Sequence, residues 1–177
     1  MLAQQGDEQA LERLHQRWNT RLARAAFRYT GDADIARDLT QECWLGIWKG
    51  IGRLRDPARF RAYAYAILHR RGADYLRGAI QDRKQLASQR EDITPHNASQ
   101  PETQSDHVAL QQAFANLPPD QRLAAHLHFV EGLTLREIAE VQDIATGTAK
   151  SRLFHARRKL KAALSEHSPE QIEGEPV

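Results

Sequence analysis

A polar gap in the middle of the chain constrains its fold more than any other feature. From Gln85 to His107 only Leu86, Ala87, Ile93 and Ala98 are apolar, and the rest is rich in Gln, Ser, Asp, Glu, Thr and Pro. Such a segment buries too little surface to offset the entropy of ordering it. Residues 84–106 are therefore read as a flexible linker that divides the 177 residues into two small units. Hydrophobic residues make up 41% of the chain. That is enough for helical cores, although each half alone would be small and marginal.

Both units carry helical periodicity, and no alternating strand pattern of useful length is present. In the first, residues 7–80, Leu11, Leu14, Trp18, Leu22 and Ala25 recur at steps of three and four. Thr30-Gly31-Asp32 then reads as a stop followed by an N-cap, with Asp34 in the first turn where the helix dipole favours a negative charge. Ile35, Leu39, Cys43, Ile47 and Ile51 mark a second helix. Asp56-Pro57 starts a third, as a cap carboxylate followed by a proline at the first helical position. Its apolar positions include Phe60, Ala64, Ile67 and Leu76. The second unit is residues 108–165. Leu117-Pro118-Pro119-Asp120 separates a short helix from the next, which ends at Gly132. Thr134-Leu-Arg-Glu137 matches a capping box, and a short helix over 135–141 follows. A tight turn around Gln142-Asp143-Ile144 then leads into a long helix from Thr146. This order is a helix-turn-helix. The fold class is all-α, with an acidic tail at 166–177 left in solvent.

The last helix has the chemistry of a DNA reader. Between Ala145 and Ala162 stand six Lys/Arg and no acid. On a helical wheel Ala149, Leu153, Ala156 and Leu160 share one narrow sector, the buried side. The opposite side shows Gly147, Ser151, Phe154, His155 and Arg158, with Thr148 and Lys150 on the shoulders. An outward Phe beside Ser, His and Arg suits a major groove, where apolar groups meet thymine methyls and polar groups read base edges. The remaining basic residues suit phosphates. A merely solvated basic helix would need no exposed Phe.

Three segments of the second unit resemble region 4 of extracytoplasmic-function (ECF) sigma factors. They are Leu117-Pro-Pro-Asp-Gln-Arg122, Phe129-Val-Glu-Gly-Leu-Thr-Leu-Arg-Glu-Ile-Ala139, and Gly147-Thr-Ala-Lys-Ser-Arg-Leu153 followed by Ala156-Arg157. The first unit resembles region 2 through Gly31-Asp32, Ala36-Arg-Asp-Leu-Thr-Gln-Glu42, Trp48, Phe60-Arg-Ala-Tyr63 and Ala73-Asp-Tyr-Leu-Arg77. The two matches, in this order across a polar linker, cover nearly all of the chain except linker and tail.

The resemblance implies an alternative sigma factor, not an enzyme, that binds core RNA polymerase and directs promoter recognition. Asp38, Gln41, Glu42 and Leu45, on one face by their spacing, are implied to dock on a coiled coil of the largest polymerase subunit. The third helix and the loop before it are implied to hold the −10 element single-stranded. Arg53, Arg55, Arg59, Arg61, Arg70, Arg71 and Arg77 supply charge there, as a single-strand site needs. Tyr63, Tyr65, Tyr75, Trp44 and Trp48 read more simply as core. The −35 element falls to Thr148, Lys150, Ser151, Phe154, His155 and Arg158. Promoter DNA and an anti-sigma protein are the further partners implied. The chain departs from the family at Leu68-His69-Arg70, often Ala-Arg-Asn, and at Ala145-Thr146, usually Ser-Val. There Thr146 is expected to take over as N-cap.

Other function classes find little support. One cysteine, Cys43, excludes a disulfide framework or multi-cysteine zinc site. His126 and His128 are two apart on a helix and face different ways, and no phosphate loop or catalytic triad is evident, so neither metal nor cofactor is expected. Net charge is only +2. The first seven residues lack the pattern of a signal peptide, and no apolar run approaches the ~18–20 residues of a membrane span. The expectation is a cytoplasmic protein. Two rivals are a stand-alone helix-turn-helix regulator with a dimerisation or sensor domain, and a helical adaptor. The polar α-face at 38–42 and the arginine-rich third helix argue against the regulator, and the clean recognition face argues against the adaptor.

Overall fold

The computed structural model describes residues 7–87 and 112–166, and among them every regular element is helical. The first unit is α1 (Glu8–Thr30), α2 (Ala33–Gly50) and α3 (Phe60–Ala87). Asp7 caps α1 by accepting from the Ala10 amide at 2.8 Å. Gly31 ends it with φ 80°, a left-handed conformation that glycine adopts without steric cost. Asp32 then caps α2, its carboxylate accepting from the amides of Asp34 and Ile35 at 2.9 and 3.0 Å. Asp56 accepts from Ala58, but the turn it opens, Pro57–Arg59, is a 3-10 turn, and the α-helix proper begins at Phe60. The helix continues to Ala87, beyond the expected start of the linker. Residues 88–106 of that linker, and 167–177 of the tail, lie outside the described residues.

Leu22, Ala25 and Tyr29 of α1, Leu39, Cys43, Trp44 and Ile47 of α2, and Phe60, Ala64, Tyr65 and Leu68 of α3 form the core of this unit. Ile35, Ile67 and Leu76, expected there, reach only its rim. Packing is close at Gly72, where an added Cβ would stand 2.5 Å from the ring of Tyr29 and 3.2 Å from Leu39. Only a residue without a side chain lets the helices approach so far.

The second unit opens with a helical segment, 112–115, followed by α4 (Pro119–Phe129), α5 (Leu135–Gln142) and α6 (Thr146–Glu166). The capping box at the head of α5 is present in both directions: Thr134 Oγ1 accepts from the Glu137 amide, and Glu137 accepts from the Thr134 amide. Asp143, with φ 51°, makes the turn. The carbonyl of Ala145 accepts from Thr148 and Ala149. Ala145 therefore sits at the cap position and Thr146 is the first helical residue, not the cap: the helix starts where the family's Ser would start it, without a hydroxyl at that place.

The two units are not apart. Their buried residues form one continuous cluster, with α1 against α4 and α3 against α5. Polar contacts cross the seam at several points. Arg21 pairs with Glu131 at 2.7 Å, Arg61 with Glu137 at 2.9 Å, and Arg59 with Glu140. The Tyr29 hydroxyl and His69 Nε2 both reach Asp120, and the Arg28 guanidinium lies 5.1 Å from the centre of the Phe114 ring.

Candidate nucleic-acid and polymerase interfaces

The outward face of α6 is built as the wheel requires. Ala149, Leu153, Ala156 and Leu160 are buried, while Thr148, Lys150, Ser151, Phe154 and Arg158 are exposed and His155 is half-buried. Phe154 is 62% exposed, its ring edge-on to His155 at 5.6 Å. An aromatic this open gains nothing from the fold around it. The helix's basic residues are not all spare. Arg152 turns inward, donating to Gln142 Oε1 at 2.7 Å and pairing with Asp120 at 2.8 Å. Gln142 in turn donates to the Asp120 carbonyl. This network fixes α6 on α4 and α5, and so fixes the direction in which Phe154 and Arg158 point.

The second face lies on α2. Asp38, Gln41, Glu42 and Leu45 are all exposed, Leu45 by 51%. Trp44 is core as read, with its indole N–H donating to Asn19 at 3.0 Å. Trp48 is not: it is 47% exposed. Position 48 follows Gln41 and Leu45 at helical steps of four and three, which puts it on the outward face. Its ring leans on Trp44 and His15, at 6.1 and 6.4 Å between centres. An apolar step of Leu45 and Trp48 thus continues the polar patch, a signal the spacing already contained.

The third region is the 50–56 loop and the adjoining face of α3. Arg53, Arg55, Arg70 and Arg71 are exposed, and Arg77 is exposed and paired with Asp74 one turn before it. Of the tyrosines read as core, Tyr65 is fully buried, Tyr63 is half-buried with its phenol pushed up by burial, and Tyr75 is 46% exposed. Tyr75 follows Leu68 and Gly72 at helical steps of four and three, yet it is exposed, as are Asp74, Arg77 and Gly78 around it. A cavity of about 420 Å³ opens beside the loop, lined by Arg53, Arg55, Arg59 and Tyr63 and walled on its far side by Glu140 and Val141 of α5.

Of the arginines in this third region, Arg59 and Arg61 pair with carboxylates of the second unit. Arg61 donates to Glu137 at 2.9 Å and to the Glu131 carbonyl at 3.0 Å. Glu137 has its carboxyl held below the usual range, first by the Thr134 amide and then by Arg61. Glu131 is buried, as is His126, whose Nε2 lies 3.9 Å away. Burial pushes the His126 imidazole down to about 4 against the opposing pull of Glu131. His128 has separate surroundings, with Nδ1 at 2.9 Å from the Leu133 carbonyl. Sequence reasoning gave Asp120, Glu131 and Glu140 no role and gave Glu137 only the capping box. Among the described residues no helix is long and apolar enough to cross a membrane.

Comparison with known proteins agrees with this layout. The family model for sigma-70 region 2 matches residues 14–80, and that for sigma-70 region 4 matches residues 107–160. The chain is 30% identical to the ECF RNA polymerase sigma factor SigE of Mycolicibacterium smegmatis over 93% of its own length and 66% of that protein's. It is 29% identical to the ECF RNA polymerase sigma-E factor of Haemophilus influenzae, over 89% of each. In fold it is similar to the sigma factor RpoE of Bartonella quintana, solved with the anti-sigma factor NepR, with TM-score 0.67, 22% identity, and 87% and 96% of the two chains covered. It is also similar to CnrH, solved with the cytosolic domain of CnrY, with TM-score 0.62, 24% identity and 94% of both chains covered.

Proposed function

Because the chain belongs to the sigma-70 family, as an ECF sigma factor with regions 2 and 4, we propose that its three exposed faces divide promoter recognition among them. The protein directs RNA polymerase to promoters and is not itself an enzyme. The face of Asp38, Gln41, Glu42, Leu45 and Trp48 docks on the largest subunit of core polymerase. A polar patch with an apolar step suits a partner that must be bound and later released. The arginines of the 50–56 loop and α3 cradle the −10 element as a single strand, with Tyr63 and Tyr75 offering rings for stacking. The outward face of α6 reads the −35 element in the major groove, Ser151, Phe154, His155 and Arg158 on base edges and Thr148 and Lys150 on phosphates.

The observation that carries this reading is Phe154, 62% exposed among Ser, His and Arg on a helix whose other side is fully buried. It argues for a groove rather than solvent. The protein acts where core polymerase and DNA are found, in the cytoplasm, and an anti-sigma protein is its expected partner, in line with the Bartonella factor solved in complex with the anti-sigma factor NepR. The direct test is to add the purified chain to sigma-free core polymerase. Promoter-specific transcripts are expected, and transcripts that start at random would overturn the reading.

A further inference from the structure

We propose that a line of arginines on α1, formed by Arg13, Arg17 and Arg24, is a further DNA-binding surface, one that tracks the phosphates of duplex DNA without reading bases. It is separate from the three faces above and does not depend on them. At about 100° per residue, Arg13, Arg17, Arg21, Arg24 and Arg28 fall within one sector of about 80°. The two acids of α1, Glu8 and Glu12, lie on the other side of the helix. From Arg13 to Arg28 the line runs about 22 Å, with neighbours about one turn apart. Arg13, Arg17 and Arg24 are exposed. Of the five, Arg21 alone has a carboxylate partner among the described residues, Glu131.

Two features set this line apart from an ordinary solvated face. The helix dipole favours cations only in the last turn, so it accounts for Arg28 but not for Arg13, near the opposite end. Positive charge is also gathered here rather than spread. Arg122 of α4 comes alongside the end of α1, its Nη1 3.0 Å from where a Cβ on Gly31 would stand, and its Nε is buried without an acceptor. Burial, and then the neighbouring charge of Arg28, hold Arg122 below the usual guanidinium range. Like charges held together in this way are relieved by a polyanion. The sector shows no exposed apolar side chain, unlike the α2 face with Leu45 and Trp48, so a folded protein partner would find no anchor there. A duplex carries one charge per ~1.7 Å of axis, enough to meet every guanidinium along the line, and the planar fork of arginine suits phosphate oxygens.

The test uses the full chain without polymerase and a fluorescein-labelled, mixed-sequence duplex of about 20 base pairs, longer than the line at ~3.4 Å per base pair. Anisotropy is followed over a range of salt concentrations. Arg13→Gln/Arg17→Gln/Arg24→Gln should lower the slope of log K against log salt by about two to three, since each neutralised phosphate contributes ~0.9. Arg17→Gln alone should lower it by about one. Gln is as good a helix former as Arg, and circular dichroism checks that α1 is intact. A charge-matched variant on other elements, Arg37→Gln/Lys49→Gln/Arg136→Gln, should keep a slope near that of wild type. Lys150→Ala, on α6, tests the −35 face in the same assay, so the two surfaces succeed or fail separately. A wild-type slope in the triple variant would overturn the proposal. An equal loss in the charge-matched variant would also overturn it, because net charge alone would then explain the effect. Binding of polyglutamate that the triple variant loses, with its duplex slope unchanged, would assign the line to an acidic protein and overturn it too.

Discussion

The phenol of Tyr29 donates to the carboxylate of Asp120 at 3.1 Å, across 91 positions of chain and across the seam between the two regions. The same carboxylate lies 3.2 Å from His69 and 2.8 Å from Arg152. Its carboxyl is held below the usual range, first by the bond to His69 and then by the charge of Arg152, with burial opposing both. Asp120 thus joins α1 and α3 of region 2 to α6 of region 4. Asp120→Ala should loosen the closed arrangement by about 1–2 kcal/mol, less than a buried charged contact because the side chain is 38% exposed. A folded-state pKa below the unfolded one means this contribution is present at neutral pH and is lost as pH falls through the carboxylate range. The measurement is the radius of gyration against pH. A variant as compact as wild type at pH 7 would show that the other seam contacts suffice.

His126 predicts a second pH dependence. Its imidazole is pushed down to about 4 by burial, while an unfolded histidine titrates near ~6.5. In that window the unfolded chain takes up a proton that the folded one refuses. The stabilising contribution is therefore complete above the unfolded value and falls away as pH drops toward 4, by about 3 kcal/mol in all. Urea melts from pH 7.5 to 4.5 should show the loss, and His126→Gln should flatten it. A histidine resonance titrating near 6.5 in the folded wild type, assigned to this residue, would contradict the burial argument.

On α6 the two classes of contact should separate by experiment. Phe154→Ala and Arg158→Ala should each cost ~1–3 kcal/mol at the cognate −35 element and relax preference at one base position. Lys150→Ala should weaken all sequences alike and reduce the salt slope by about one. Binding across a randomised upstream element reads both effects. Identical preferences in wild type and all variants would place a different side of the helix in the groove.

On α2, Asp38→Ala and Trp48→Ala should each weaken binding to core polymerase by ~1–3 kcal/mol with helicity unchanged. Trp48 is the sharper probe. It is half exposed, so its removal should cost the fold little, and any large loss of core affinity belongs to the interface. Unchanged affinity in both variants would remove this face from the docking site.

Local features were legible in the sequence because local chemistry decides them. Asp32, Asp56 and Thr134 cap where they should, since a cap depends on residues within one turn. The buried sector of α6 follows from its period alone. Several expectations needed correction where burial or a helix start depends on more than the local pattern. Trp48 and Tyr75 read as core by hydrophobicity, but the 41, 45, 48 spacing points outward on α2, and Tyr75 is 46% exposed even though it shares the spacing of Leu68 and Gly72. Ala145 caps α6 through its carbonyl, so Thr146 does not inherit the role. What no pattern could reveal is the seam. Arg59 with Glu140 and Arg61 with Glu137 are 81 and 76 positions apart, and nothing in either stretch singles out its partner.

Gly72 gives that seam an unexpected liability. Its missing side chain leaves room for the Tyr29 ring, whose hydroxyl is the tether to Asp120. An Ala there would press on the ring at 2.5 Å, and the ring could yield only by moving its oxygen. A lesion in the heart of region 2 would then surface as a change in how region 4 is held. In a genetic screen for suppressors, substitutions at position 72 and at position 120 should fall into one group, although the two residues stand in different regions and 48 positions apart in the chain.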